Sequence, residues 1–266
     1  MTPHNRVVIL TGATQGIGRT TAYTLAQAGC TLALAARTSE SLQALAAELR
    51  QAGHTAAAFP TDMGDTAQAA DLARKTAAAF GKIDVVINNA GIGVRDRVLD
   101  LQEAEARRVM EVNYFGPLAL IQAALPTLKA NPEGGLIINV SSIVGRRAMP
   151  GIGGYSASKA ALEKLAESLR LEVRGDNIRV STVYPGVTVT RFNDNSLGSS
   201  QHGRGRVQGV PPARVAQAIL NTIRREQRDV FITLFDRAFV TASALWPGLM
   251  DWLLRDYLRQ RRGSRE

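Results

Sequence analysis

The chain has 266 residues, 45% hydrophobic and 5% aromatic, which suits one α/β domain with a sizeable core and excludes wholesale disorder. Its net charge of +9 admits anionic partners, but thirteen of the 32 basic residues, against seven carboxylates, lie between Arg191 and Glu266, so the positive charge gathers toward the end. One cysteine, Cys30, excludes an internal disulfide, and His4, His54 and His202 have no zinc-like spacing with it.

In chain order, short apolar runs at 6–11, 31–36, 55–60, 83–88, 135–141 and 178–184 read as buried strands separated by longer amphipathic patterns. That alternation calls for a doubly wound α/β fold, a parallel sheet with helices on both faces and ligands at the carboxyl ends of its strands. The Gly-, Ser-, Asn- and Arg-rich stretch 193–212 reads as a loop. A helix near 212–226, a short strand near 230–234 and an apolar stretch follow, and Pro247 is placed to start a last helix. We expect a single domain over 1–266, with a core at 5–192, a substrate loop at 193–212 and a C-terminal helical extension at 235–266. The apolar run at 7–10 is too short for that of a signal peptide and has no small-residue cleavage pattern, which with the lone cysteine points to the cytoplasm.

Thr11-Gly12-Ala13-Thr14-Gln15-Gly16-Ile17-Gly18 follows the first strand and opens the first helix. Glycines there let the backbone turn tightly and approach a pyrophosphate, while the helix's first N–H groups and its dipole favour an anion. Gly12, Thr14, Gly16, Ile17 and Gly18 are therefore candidate cofactor contacts. Three residues rather than one separate the first two glycines, so the motif departs from the common dinucleotide fingerprint. It resembles the short-chain dehydrogenase/reductase family, whose later motifs recur in order up to about Arg191. The resemblance implies a Rossmann fold and hydride transfer between a nicotinamide and a carbonyl or alcohol substrate.

The second strand ends in Ala35-Ala36-Arg37-Thr38. An NAD enzyme is expected to place a carboxylate there for the adenosine ribose. Ala36 stands in its place, and Arg37 offers a planar fork of donors suited to a 2′-phosphate, with hydroxyls from Thr14 and Thr38 nearby. We therefore expect NADP(H). By resemblance, Asp62, with Met63 beside it, meets the adenine amino group. The small residues of Asn88-Asn89-Ala90-Gly91 pass beside the cofactor, contacting it through Asn89, Ala90 and Gly91, while an asparagine braces the sheet. Pro185, Gly186, Thr188 and Thr190 lie over the nicotinamide, with Thr190 reaching its carboxamide or the pyrophosphate.

Tyr155-Ser156-Ala157-Ser158-Lys159 opens a long helical pattern. Four residues apart, Tyr155 and Lys159 share one face, so an ammonium can stabilise developing phenolate charge. An isolated tyrosine, with a pKa of roughly 10, is a poor base near neutrality. Family spacing selects Ser142 to hold the substrate oxygen and Asn113 to hold a water linking Lys159 to solvent, and NADP usage in the family implies reduction. No Gly-x-Ser-x-Gly elbow, His-Glu-x-x-His or phosphate-loop Gly-Lys-Ser/Thr competes. The alternative is a cofactor-sensing regulator on the same fold, against which the intact Ser142, Tyr155 and Lys159 argue.

Arg146, Arg147, Arg204 and Arg206 would suit an acidic substrate, though solvated loop arginines are the commoner case. Leu249, Met250, Leu253, Leu254, Tyr257 and Leu258 form one helical stripe, with Arg255, Arg259, Arg261 and Arg262 beside or beyond it. Such a stripe packs on the core or on a partner subunit, or makes peripheral contact with an anionic membrane. A spanning helix is excluded, because the apolar stretch 238–250 is interrupted and short of the roughly 20 residues needed. No nucleic-acid partner is expected, since Trp246, Trp252 and Tyr257 sit in an apolar helix rather than on a stacking platform. The resemblance implies a homodimer or homotetramer through the helices near Asn113 and Tyr155.

Overall fold

The computed structural model describes residues 1–199 and 209–263, with 256–263 as backbone alone. Seven strands, β1 Val7–Thr11, β2 Thr31–Ala36, β3 Ala56–Pro60, β4 Val85–Asn88, β5 Gly135–Val140, β6 Ile178–Tyr184 and β7 Asp229–Phe231, form one sheet. All pairs are parallel, in the order β3-β2-β1-β4-β5-β6-β7. The helices are α1 Gly16–Gln27, α2 Ser39–Gln51, α3 Thr66–Phe80, α4 Glu103–Met110, α5 Gly116–Ala130, α6 Ile143–Arg146, α7 Gly153–Glu172, α8 Pro212–Arg225, α9 Leu234–Leu245 and α10 Pro247–Gly263.

Successive side chains of a strand point to opposite faces. Val8 and Leu10 pack with Leu25 of α1, Leu45 of α2 and Ile219 of α8, whereas Ile9 packs with Leu72 of α3, Leu120 of α5 and Ala166 of α7. Covered on both sides, β1 is buried throughout, which is why it reads as an unbroken apolar run. From β1 the chain moves outward through β2 and β3, then returns to β1's other side as β4. The loops leaving β1 and β4 therefore diverge and open a crevice at the carboxyl ends of the strands.

At the opposite end of the sheet, the carboxylate of buried Asp84 accepts hydrogen bonds from Arg6 Nη1 (2.9 Å), the Val7 amide (2.8 Å) and Asn131 Nδ2 (2.9 Å), and pairs with Lys82 Nζ at 2.9 Å. Burial by itself would raise its pKa, but these donors outweigh burial and hold the group below the ordinary carboxylate range.

The seventh strand ends at Phe231 rather than Leu234, because Thr233 Oγ1 accepts from the Asp236 amide (3.0 Å) and caps α9. The expected loop opens with a 3-10 turn at Arg191–Asn195 and is tied to the body by bridges between Val94 and Leu197 and between Thr188 and Val210. Arg204 and Arg206 lie outside the described residues. The terminal stripe is divided, with Met250 and Leu254 half-buried and Leu249 and Leu253 exposed. The side chains of Tyr257, Leu258, Arg259, Arg261 and Arg262 lie outside those described. Among the described residues, no helix is long and apolar enough to cross a membrane.

Candidate active site

A cleft of about 520 Å³ lies at the crevice between the ends of β1 and β4, and every cofactor and catalytic candidate named above except Asn113 lines it; Arg146 and Arg147, expected to suit an acidic substrate, do not, being paired with Glu163 and Asp251. The turn after β1 forms one wall. Gly12 and Gly16 have φ of +66° and +51°, a region costly for residues with a Cβ. A Cβ on Gly18 would run into the carbonyl oxygen of Gly12, and one on Gly12 would stand 2.8 Å from Ala90 Cα. No side chain caps the start of α1, so its first amides are left for a ligand, the arrangement a pyrophosphate needs. Asn89 clamps the turn, its Nδ2 donating to the carbonyls of Thr11 (2.9 Å) and Gly12 (3.2 Å). The brace across the sheet is a separate, buried pair, Asn88 Nδ2 donating to Asn139 Oδ1 at 2.8 Å.

Arg37 and Thr38 are exposed on the cleft wall beyond β2, and Arg37 forms no ion pair among the described residues. Asp62 accepts from the Gly64 amide (2.9 Å) and, through both oxygens, from Arg108 Nη2 at 3.0 and 2.7 Å. Against the upward push of burial, these donors and the more distant Arg37 hold its carboxyl below the ordinary range. Met63 is buried and packs into the core under α3 and α5. Sequence reasoning missed Arg108, because nothing in its spacing marks a partner 46 residues away.

Tyr155 and Lys159 stand one turn apart near the start of α7 and share the cleft with Ser142, the N-cap of α6. Ser142 Oγ donates to the Pro185 carbonyl at 3.2 Å. Burial pushes the Tyr155 phenol well up, and the neighbouring Ser142 hydroxyl offsets that only in part. Lys159 is buried, with Nζ 2.9 Å from the Val140 carbonyl and 5.9 Å from the centre of the Tyr155 ring. Burial lowers its pKa to about 8, which leaves it largely an ammonium at neutral pH.

Asn113 does not itself line the cleft. It is wholly buried in a π-helical turn, Glu111–Phe115, where one extra residue per turn re-aims side chains. Its Nδ2 donates to the Ile92 carbonyl and to Ser158 Oγ, each at 2.9 Å, while Oδ1 accepts from the Ile92 amide at 2.9 Å. Both Nδ2 hydrogens are thus committed to protein, and only Oδ1 keeps capacity for a water. A Cβ on Gly91 would lie 3.2 Å from Asn113 Oδ1 and 3.3 Å from Lys159 Nζ, so the asparagine and the glycine together shape the space beside the lysine.

Thr190 Oγ1 accepts from the Phe192 amide (3.2 Å) and so starts the 3-10 turn. That turn brings the Phe192 ring to 5.5 Å from the Tyr155 ring centre. Phe192, Ile92, Val94, Ile152 and Val187 line the cleft near Tyr155. No motif in the sequence identifies these residues as a wall of the site.

The model of the short chain dehydrogenase family matches residues 6–199. The chain belongs to that family, which places it among the oxidoreductases of dehydrogenase/reductase type. It is 35% identical over 271 residues to Dehydrogenase/reductase SDR family member 7B of Mus musculus, covering 98% of this chain and 84% of that one. A short-chain dehydrogenase from Burkholderia cenocepacia, solved in complex with NADP, is 28% identical with a TM-score of 0.81 over 96% of this chain and 99% of its own. A short-chain dehydrogenase/reductase from Burkholderia phymatum, solved with NAD, shares the fold at a TM-score of 0.86 and 24% identity, covering 94% and 96% of the two chains.

Proposed function

We propose that the protein is a cytoplasmic, NADP(H)-dependent oxidoreductase that moves hydride between the nicotinamide and a carbonyl or alcohol, with Tyr155 as general acid and base. The observation that carries this reading is the convergence of Ser142, Tyr155 and buried Lys159 in a cleft whose far wall is a glycine-lined, uncapped helix start. In it, the turn from Gly12 to Gly18 holds the pyrophosphate, Asp62 the adenine, and Arg37 with Thr14 and Thr38 the 2′-phosphate. Asn89, Ala90 and Gly91 on one side, and Pro185, Gly186, Thr188 and Thr190 on the other, flank the nicotinamide. Structural relatives hold NAD in one case and NADP in another, so the choice falls to this chain's own residues, and Arg37 in place of a carboxylate supports NADP.

The bound nicotinamide supplies hydride to a carbonyl carbon or accepts it from an alcohol. Ser142 and Tyr155 hydrogen-bond the substrate oxygen and orient the carbon. In reduction that oxygen takes the phenolic proton, and the Lys159 ammonium stabilises the phenolate left behind. In oxidation the alcohol's proton returns to the phenolate. Reduction is the direction NADP usage supports. We also infer a homodimer or homotetramer, supported by exposed Phe115 and Leu171 on the α5 and α7 side and checked by light scattering of the full chain.

The test follows the absorbance of the reduced nicotinamide with NADPH or NADH across a panel of aldehydes and ketones, and then of alcohols with the oxidised cofactors. Turnover with NADPH should fall about 10²- to 10⁴-fold in Tyr155→Phe while cofactor binding persists. Tight NADPH binding without turnover in either direction would identify a cofactor sensor instead.

A further inference from the structure

We propose that the outer face of α10 and the turn before it form a docking surface for an anionic lipid bilayer. Leu245, Trp246, Leu249, Trp252 and Leu253 expose 63, 59, 54, 50 and 45% of their surface, whereas Met250 and Leu254 are half-buried. Residues 249, 252 and 253 are neighbours on one side of a helix, so the apolar stripe has an inward half that meets the protein and an outward half that meets nothing within the described chain. Scattered exposed apolar residues are ordinary, but a continuous group of large ones marks an interaction surface.

Two features identify the partner. Tryptophan favours the headgroup region of a bilayer, where its ring meets acyl chains and its N–H meets polar groups. Past the exposed side chains in the sequence, residues 255–266 hold five arginines against two carboxylates, Asp256 and Glu266. Apolar surface followed in the sequence by net positive charge matches an anionic bilayer, and in a self-associated pair the same segment would repel its copy. Of the carboxylates of α9 and α10 whose side chains are described, Asp251 is paired with Arg147 and Asp236 is buried. The Arg147 pair also ties α10 to the segment just after α6, the helix capped by Ser142, so docking brings that edge of the cleft toward the lipid.

The chain has two tryptophans, Trp246 and Trp252, both on this face, so intrinsic emission reports the contact directly. With the full chain, emission should shift to shorter wavelength and the protein should co-sediment with vesicles of phosphatidylcholine and phosphatidylserine. Phosphatidylcholine alone should capture much less, and added salt should weaken binding. The double variant Trp252→Glu, Leu253→Glu should lose co-sedimentation while keeping its circular dichroism and unfolding midpoint. Absence of both the shift and co-sedimentation at low salt overturns the proposal, as does equal binding to neutral vesicles. Self-association in lipid-free buffer that the double variant abolishes, without vesicle binding, assigns the face to a second copy and also overturns it.

Discussion

In the proposed mechanism Lys159 has to stay a cation where burial disfavours cations. Its pKa of about 8 leaves it charged at neutrality, and that charge has to counter the burial that pushes Tyr155 upward. Lys159→Met should therefore lower turnover by about 100-fold or more. It should also move the rise of the oxidative rate to higher pH, because the phenolate loses its cation; pH-rate profiles of the two proteins check this. At the other end of the cleft, Arg37→Ala removes charge-assisted hydrogen bonds worth about 1.5–3 kcal/mol. Titration of cofactor fluorescence should show NADPH affinity falling about tenfold to a hundredfold, with NADH nearly unchanged. Equal losses for both cofactors would remove Arg37 as the selector. Tyr155, Lys159 and Arg37 can be singled out as candidates because each sits at a fixed place in a local motif. Arg108 cannot, since its role depends on where α4 lies against the end of β3.

The glycine turn lines the cleft directly, and the π turn contributes Val112 to its lining. In Gly18→Ala the added methyl collides with backbone rather than with a flexible side chain, so α1 must shift from the turn it closes. The variant should lose cofactor binding in calorimetric titration while its circular dichroism keeps the sheet signal. Asn113→Ala strips partners from the Ile92 amide and carbonyl and from Ser158 Oγ. At about 1–3 kcal/mol for each buried group left unpaired, and with some relaxation, stability should drop by roughly 2–4 kcal/mol, read from the urea midpoint. The glycines are visible in the sequence because their spacing is itself the signal. The π turn is not, because hydrophobic periodicity over 11–18 residues averages away one inserted position.

For the molecule as a whole, two buried ionisable groups at opposite ends of the sheet should each raise stability as pH rises, in different windows, Asp84 by gaining a favourable charge and Lys159 by losing an unfavourable one. Asp84 has a folded pKa below its unfolded value of roughly 3.9. Its contribution is therefore complete above about pH 4 and is lost as pH falls through the folded value. Asp84→Asn should lower stability at neutral pH and flatten the loss on the acid side in thermal melts. Lys159, with a folded pKa of about 8 against roughly 10.4 unfolded, carries its full burial cost below about pH 8. That cost fades toward pH 10, because the unfolded chain binds more protons in that window. The cofactor-free protein should gain this increment as pH rises, and Lys159→Met should lack it. Above about pH 10 Tyr155 acts the other way, since unfolded tyrosine ionises while the folded one, its phenol held up, stays protonated.

The strands, the glycine turn after β1 and the placing of Tyr155 and Lys159 on one helix face were determined by the sequence itself. Each depends on residues a few positions apart, where burial on both faces, glycine spacing or one helical turn leaves a readable pattern. Tertiary structure alone decided that Arg108 holds Asp62 and that Asn113 secures Ile92 and Ser158. It also decided that Phe192 closes on Tyr155 and that the last stripe splits into a packed half and an open half. These contacts join separate elements, and no local period records which elements meet. They follow from how the helices settle on the sheet once the core excludes water.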